Sequence, residues 1–227
     1  MHYLPTTLSE HAVPSAMSSP RLIVVDDSDP RIQYSNSGQG WFLDRGSQDG
    51  GGNFGPAFQH TLHGTKSNVS FSFSFQGAPH SLHTSCISRY LCFRHAGSAV
   101  TVFGSNNRVN TSTGWDPRWE CFVDGISIGA TDPFPFFENN WALCEKSLLD
   151  DGPHQLTVNV TSTTGKEFWF DYVRYEPSAS VSEDGAYIFV DSHDPAIVYG
   201  SGWGPLGTVA NMTTQLGSEL RFNFTGT

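Results

Sequence analysis

Basic residues are scarce in this chain: 12 Lys and Arg stand against 22 Asp and Glu over 227 residues, a net charge of −10. They nowhere cluster into a run that could track a phosphate backbone, which argues against a nucleic-acid partner. Charged residues of either sign make up only 15%, and no stretch approaches the roughly 18–20 apolar residues that cross a bilayer as a helix. Residues 1–20 have neither the basic start nor the apolar segment of a secretory leader. An H-E-x-x-H helix and a P-loop are also missing, and no carboxylate spacing demands a glycosidase pair, so the expectation is a protein that is not an enzyme. Helical periodicity is absent as well.

What is abundant is Gly, Ser, Thr, Asn and aromatic residues, a composition that suits short strands joined by polar turns. The segment "VSFSFSF" (69–75) alternates Val69, Phe71, Phe73 and Phe75 with serines, a period of two that sends four large side chains to one face. "AVTVFG" (99–104), "LTVNVT" (156–161) and "EFWFDYVRY" (167–175) read the same way. Asp124-Gly125 separates two alternating runs and predicts a hairpin with a type I′ turn. The fold expected is an all-β jelly-roll sandwich over residues 21–177.

The chain also repeats itself. "VDDSDPRIQY" (25–34) is answered by "VDSHDPAIVY" (190–199), "GQGWF" (38–42) by "GSGWG" (200–204), and "FSFQG" (73–77) by "FNFTG" (222–226). Three matches in one order predict a second sandwich beginning at residue 186, after a polar linker at 178–185, with only its first strands present by residue 227. Residues 1–20 are expected to be disordered. Between "FSFSFQG" and "SAVTVFG" lies "APHSLHTSCISRYLCFRHAG" (78–97), which breaks the pattern; without it the flanking strands close into a hairpin. The codons at its ends allow a GT…AG boundary, so it reads as an insertion or a retained intron, and if translated as a loose excursion at a loop tip. His80, His83, His95, Cys86 and Cys92 lie inside it, at spacings unlike those of a structural zinc site.

The segments "VDDSDPRIQYS", "TLHGT", "FSFSFQG", "VTVFG", "WECFVDG", "ENNWALC", "DGPHQLTVNVT" and "FWFDYVRY" together resemble a group of uncharacterised basidiomycete cell-surface proteins. These carry tandem galactose-binding-like β-sandwiches, a Ser/Thr-rich stalk and a membrane span. The resemblance implies a fungal extracellular or cell-surface location, and five N-x-[ST] sequons, at Asn68, Asn110, Asn159, Asn211 and Asn223, agree with it. Cys121 and Cys144 fall in the resembling segments; the readings are a disulfide or two unrelated buried thiols. Modules of this kind can hold a structural calcium between first-strand and last-strand carboxylates, which would fall on Asp26, Asp27 and Asp171. The alternative is that Asp26 caps a turn and Asp171 accepts hydrogen bonds from loop amides.

Aromatics supply the remaining handle: 6 Trp, 7 Tyr and 17 Phe. Trp115, Trp119 and Trp141 are read as candidates to stack on a sugar, with Asn139 and Asn140 as hydrogen-bonding partners, against the alternative that they plug the core. The function expected is a non-catalytic surface module recognising carbohydrate of the fungal cell wall. Alternatives are a spacer ectodomain without a small ligand and the accessory domain of an absent enzyme.

Overall fold

The computed structural model describes residues 21–77, 83–88, 91–95, 98–132, 134–207 and 210–224, with backbone alone for 83–88, 91–95 and 98. It divides into two compact units that meet between Phe189 and Val190. The disorder expected for residues 1–20 lies outside the described residues.

The first unit contains β1 (Leu22–Asp26), β2 (Gln33–Tyr34), β3 (Trp41–Arg45), β4 (Thr61–Thr65), β5 (Val69–Gly77), β6 (His83–Ser88), β7 (Leu91–His95) and β8 (Ser98–Asn106). It continues with β9 (Val109–Thr111), β10 (Gly114–Asp116), β11 (Arg118–Val123), β12 (Ile126–Gly129), β13 (Glu138–Ser147), β14 (Gly152–Thr161), β15 (Phe168–Tyr175) and β16 (Tyr187–Phe189). One sheet runs β13-β8-β15-β1-β16, with β4 beside β15 and β3 beside β4; the other runs β12-β11-β14-β5-β2. The two pack face to face as an antiparallel sandwich.

The alternation of β5 explains the core. Val69, Phe71, Phe73 and Phe75 are buried and face the inward residues of β15, with Phe71 stacked on Phe170 at 4.1 Å between ring centroids. The inward residues of β15 are Phe168, Phe170, Val173 and Tyr175, a step of two, then three, then two. A β-bulge between Phe170 and Tyr172, opposite Gly104 and Phe103 of β8, supplies the extra residue, Asp171. Gly104 permits the approach, since a Cβ there would sit 2.1 Å from the Trp169 carbonyl oxygen. Cys121 of β11 and Cys144 of β13 form a disulfide that ties one sheet to the other. The Asp124-Gly125 turn closes β11 onto β12 with both residues at positive φ (53° and 76°), as type I′ geometry requires.

Three expectations need correction. The strands flanking 78–97 do not form a hairpin: β5 pairs with β14 and β2, β8 with β13 and β15, so they lie in opposite sheets. Their alternating faces meet across the core, and adjacency in sequence carried no information about pairing. Within the interruption, β6 and β7 pair with each other, with Cys86 opposite Cys92 in the ladder, so this backbone is a hairpin where a loose excursion was expected; its metal-binding reading falls on side chains outside the described ones. Finally, residues 178–189 belong to the first unit. Ser178 N–H donates to the Gln76 carbonyl (2.9 Å), and β16 covers the edge of β1 that would otherwise be open.

The second unit, by itself, pairs β17 (Ile197–Tyr199) with β20 (Leu220–Phe222) and β18 (Trp203–Leu206) with β19 (Ala210–Thr213). Its opening phrase folds as the first one does. Asp29 N–H donates to the Asp26 carbonyl (3.0 Å) and Ile32 N–H to the Asp29 carbonyl (2.9 Å); Asp194→Asp191 and Ile197→Asp194 repeat both at 2.9 Å. Tyr34 donates to the Asp27 carbonyl at 2.7 Å and Tyr199 to the Ser192 carbonyl at 2.8 Å. Gln33 and Tyr34 face Ser72 and Phe71, as Val198 and Tyr199 face Arg221 and Leu220. Among the described residues of this unit only Asp194 is buried, so these elements enclose no apolar core.

Candidate functional site

Two assemblies of polar and aromatic groups stand out in the first unit. The first sits where β15 changes neighbours. Phe170 pairs with His63 of β4, and Tyr172 with Asp26 of β1, so bulged Asp171 points into the fork between those strands. Asp27 and Asp171 are fully buried and Asp26 nearly so. Asp27 accepts from the Thr61 hydroxyl (2.7 Å) and lies 2.6 Å from His63 Nδ1, while the His63 ring stacks on Tyr34 at 4.4 Å. Asp171 accepts the Phe58 N–H at 3.1 Å on each oxygen, and Asp26 accepts from Ser28 through both its N–H and its hydroxyl. Burial, with the charges of Asp27, Asp26 and Asp49, pushes the Asp171 carboxyl up to about 8 against the Phe58 hydrogen bond. Burial also raises Asp26, reinforced by Asp27 and opposed by Ser28.

The sequence correctly brought Asp26, Asp27 and Asp171 together, but the calcium expectation does not fit the geometry. Among the described residues no group of three or more His, Cys, Asp or Glu is arranged to hold a metal ion. Two buried carboxylate oxygens of this group, Asp26 Oδ1 and Asp49 Oδ1, lack a hydrogen-bond partner, short of the six to eight oxygens of a calcium shell. The hydrogen bonds seen are those of a capped turn and a loop tied down by its amide. A proton on Asp171 relieves the like-charge repulsion instead.

The second assembly is built by three consecutive residues at the start of β13. Glu138 Oε1 accepts the N–H groups of Asn53 (2.7 Å) and Phe54 (2.8 Å). Asn139 Nδ2 donates to the Gln48 carbonyl (2.8 Å), and its Oδ1 accepts from Ser105 (2.6 Å). Asn140, at φ 52°, donates to the carbonyls of Phe54 (3.1 Å) and Pro56 (2.9 Å). Together they clamp the loop 48–56. Two of its glycines leave no room for a side chain: a Cβ on Gly51 would lie 2.5 Å from the Phe137 ring, and one on Gly52 2.2 Å from Glu138 Oε1.

The clamped loop presents Phe54 parallel to Trp141 (6.4 Å between centroids, 2° between planes), and Phe134 stacks on Trp141 from nearby (4.8 Å, 14°). Phe136 packs edge-on against Phe134. Phe54 is 61% exposed and Phe136 69%. The result is an aromatic platform of stacked and edge-on rings, one of which, Phe54, is carried by the clamped loop.

This corrects the sequence-derived ligand set. Trp119 is a core residue: it is buried, donates its ring N–H to the Leu143 carbonyl (2.8 Å) and is covered by the Arg108 guanidinium at 3.8 Å. Asn139 is fully buried and cannot reach out to a ligand, and the half-buried Asn140 commits its Nδ2 to loop carbonyls, so both position the platform. Trp115 is half-buried on β10, in a separate two-stranded ladder with β9. Asp116 is consumed by Thr163 and Thr164, whose N–H and hydroxyl groups all donate to it; burial alone would raise its pKa, but these four hydrogen bonds hold it at about 2. Of the three tryptophans expected there, only Trp141 joins the platform. Phe54 was missed because "GGGNFGP" reads as turn; the glycines were the one signal of close backbone packing.

His63 was also missed: on a strand it reads as an ordinary polar residue. The string Gly125–Gly129 matches G-x-S-x-G, yet it lies on a hairpin with Ser127 donating to Glu120 (2.8 Å), without the strand-to-helix turn of a nucleophile elbow. Of the sequons, Asn68, Asn110, Asn159 and Asn223 are exposed, while Asn211 is half-buried and donates to the Ser192 carbonyl. No helix of the described residues is long and apolar enough to cross a membrane.

No family model matches the chain, and no curated protein matches it. One solved structure, the catalytic domain of a GH87 alpha-1,3-glucanase in complex with nigerose, is similar over 74% of this chain at 10% identity, with a TM-score of 0.36. The chain spans 30% of that structure's length, and a likeness so distant carries no conclusion about activity or ligand.

Proposed function

We propose that the protein is a non-catalytic extracellular or cell-surface recognition module, and that the platform of Phe54, Trp141, Phe134 and Phe136 stacks on the apolar face of a sugar in a cell-wall glycan. One observation carries the reading: two large rings, Phe54 and Phe136, are left mostly exposed at one loop end of the sandwich, the first of them on a loop that three side chains hold in place. Exposed aromatics on a rigid support offer contact area with little ordering cost. The inter-sheet disulfide supports an oxidising compartment. A spacer role is the second reading, favoured by the fact that the polar groups nearest the platform, Glu138, Asn139 and Asn140, are all spent on the loop.

A glycan array probed with the full chain separates the two. Selective binding that weakens about 5- to 10-fold in Phe54→Ala and in Phe136→Ala, at unchanged Tm, fits loss of a ring contact worth about 1 kcal/mol. Silence across the array establishes the spacer, and binding that neither variant alters overturns the platform as the sugar site.

A further inference from the structure

The outer face of the five-stranded sheet is unlike the rest of the surface. Registered rows across it read Glu120, Asn159, Ser70 and then Phe122, Thr157, Ser72, Gln33, followed by Gln155 and Ser74. Apart from Phe122 and Glu120 these are hydroxyls and amides, the donors and acceptors that sugars use. Asn159 stands in the first of these rows, on the central strand β14, exposed and flanked by Glu120 on β11 and Ser70 on β5. It opens the sequon Asn159-Val160-Thr161.

Asn159 is also the shared wall of two open hollows. One, of about 350 Å³, is lined by Ser35, Asn36, Asn68 and Ser70; the other, of about 400 Å³, by Arg118, Glu120, Gly129 and Thr161. Both fall within the ~300–1,000 Å³ of small-molecule sites. Asn68 also lines the first hollow, but of the two only Asn159 borders both. Asn68 is at a turn with its Oδ1 accepting the Ser162 N–H (3.1 Å), and Asn110 is on the short ladder of β9 and β10.

We propose that Asn159 carries an N-linked glycan whose first sugars lie on this sheet face, in the hollows beside it, and close the face to external ligands. The proposal rests on the extracellular reading above. The oligosaccharide comes from a polyprenyl-diphosphate-linked donor: the Asn159 Nδ2–C1 bond forms, the C1–O bond to the diphosphate breaks, the diphosphate departs with the lipid, and one Nδ2 proton is released. Because β14 is paired on both sides in the fold, transfer precedes its pairing with β11 and β5. With that face covered, the aromatic loop end is left as the ligand-binding end.

The test uses the full chain secreted from a glycosylating fungal host behind a leader. Peptide mass mapping after enzymatic deglycosylation in heavy-oxygen water reads occupancy at each sequon. Carbodiimide labelling of Glu120, with exposed Glu183 as control, reads coverage. The expected result is a modified Asn159, with Glu120 labelled at least about threefold less in the glycosylated protein than in Asn159→Gln, while Glu183 is unchanged. An unmodified Asn159 in a protein glycosylated elsewhere overturns the proposal and leaves the extracellular reading standing. A protein modified at no sequon overturns both. Occupancy with equal Glu120 labelling overturns the resting place of the glycan.

Discussion

Asp171→Asn should abolish most of the pH dependence of stability between pH 4 and 8. Burial is the main cause that lifts the Asp171 carboxyl from 3.8 to about 8 in the folded protein. In that window the native state holds a proton that the unfolded chain has released, so stability falls as pH rises. Each pH unit costs about 1.4 kcal/mol, and the full interval amounts to on the order of 5 kcal/mol, comparable with the roughly 5–15 kcal/mol that holds a domain together. The contribution is intact below pH 3.8 and gone above about 8. Asparagine keeps an acceptor for the Phe58 N–H and, like the protonated acid, carries no charge at any of these pH values. Urea unfolding followed by tryptophan fluorescence at pH 5, 6, 7, 8 and 9 should show similar midpoints for the two proteins at pH 5, and a variant more stable by several kcal/mol at pH 8. Parallel curves across that range would refute the placement of a proton on this carboxyl.

The disulfide joins residues 23 apart in sequence, and the chain-entropy relation gives about 3 kcal/mol for a loop of that length. Replacing both cysteines by alanine should lower Tm by about 6–12 °C in calorimetry, and an unchanged Tm would show that the two sheets are held without it. Gly52→Ala combines φ +78° with a Cβ 2.2 Å from Glu138 Oε1; it should cost about 2–3 kcal/mol and change the near-ultraviolet circular dichroism of the Phe54–Trp141 pair, and a native-like spectrum at full stability would remove the clamp from the account. Asp116, held at about 2 by Thr163 and Thr164, contributes stability that is present above 3.8 and lost as pH falls through about 2. Asp116→Asn should therefore be less stable than the parent at pH 7 and indistinguishable from it near pH 2, a convergence that paired urea curves can read.

Sequence-local chemistry determined a good deal of this protein. The alternation of "VSFSFSF" fixed which face of β5 is buried, because a pleated strand sends successive side chains to opposite sides and only one side could be apolar. Asp124-Gly125 specified its hairpin through two backbone conformations that few other pairs adopt cheaply. The repeated phrase "VDDSDPRIQY" and "VDSHDPAIVY" specified the same turns and the same tyrosine hydrogen bond twice, because those contacts span no more than seven residues and need no partner from elsewhere in the chain.

Whatever depended on partners distant in sequence was decided by the tertiary structure. Alternation says that β5 and β8 are strands but not which sheet each joins; that follows from how the two apolar faces close on one another. The one-residue bulge at Asp171 is invisible in "FWFDYVRY", since it exists only to keep Phe170 and Val173 both facing inward while β15 passes from β4 to β1. Trp119 and Trp141 look alike as residues in aromatic-rich segments, and only the packing of β11 against β13 buried the first while the 48–56 loop, 84 to 91 residues away along the chain from the side chains that hold it, set Phe54 beside the second. Side-chain chemistry is written residue by residue. Burial is a property of the assembled sandwich, and burial separated the tryptophans that fill its core from the rings left to meet a ligand.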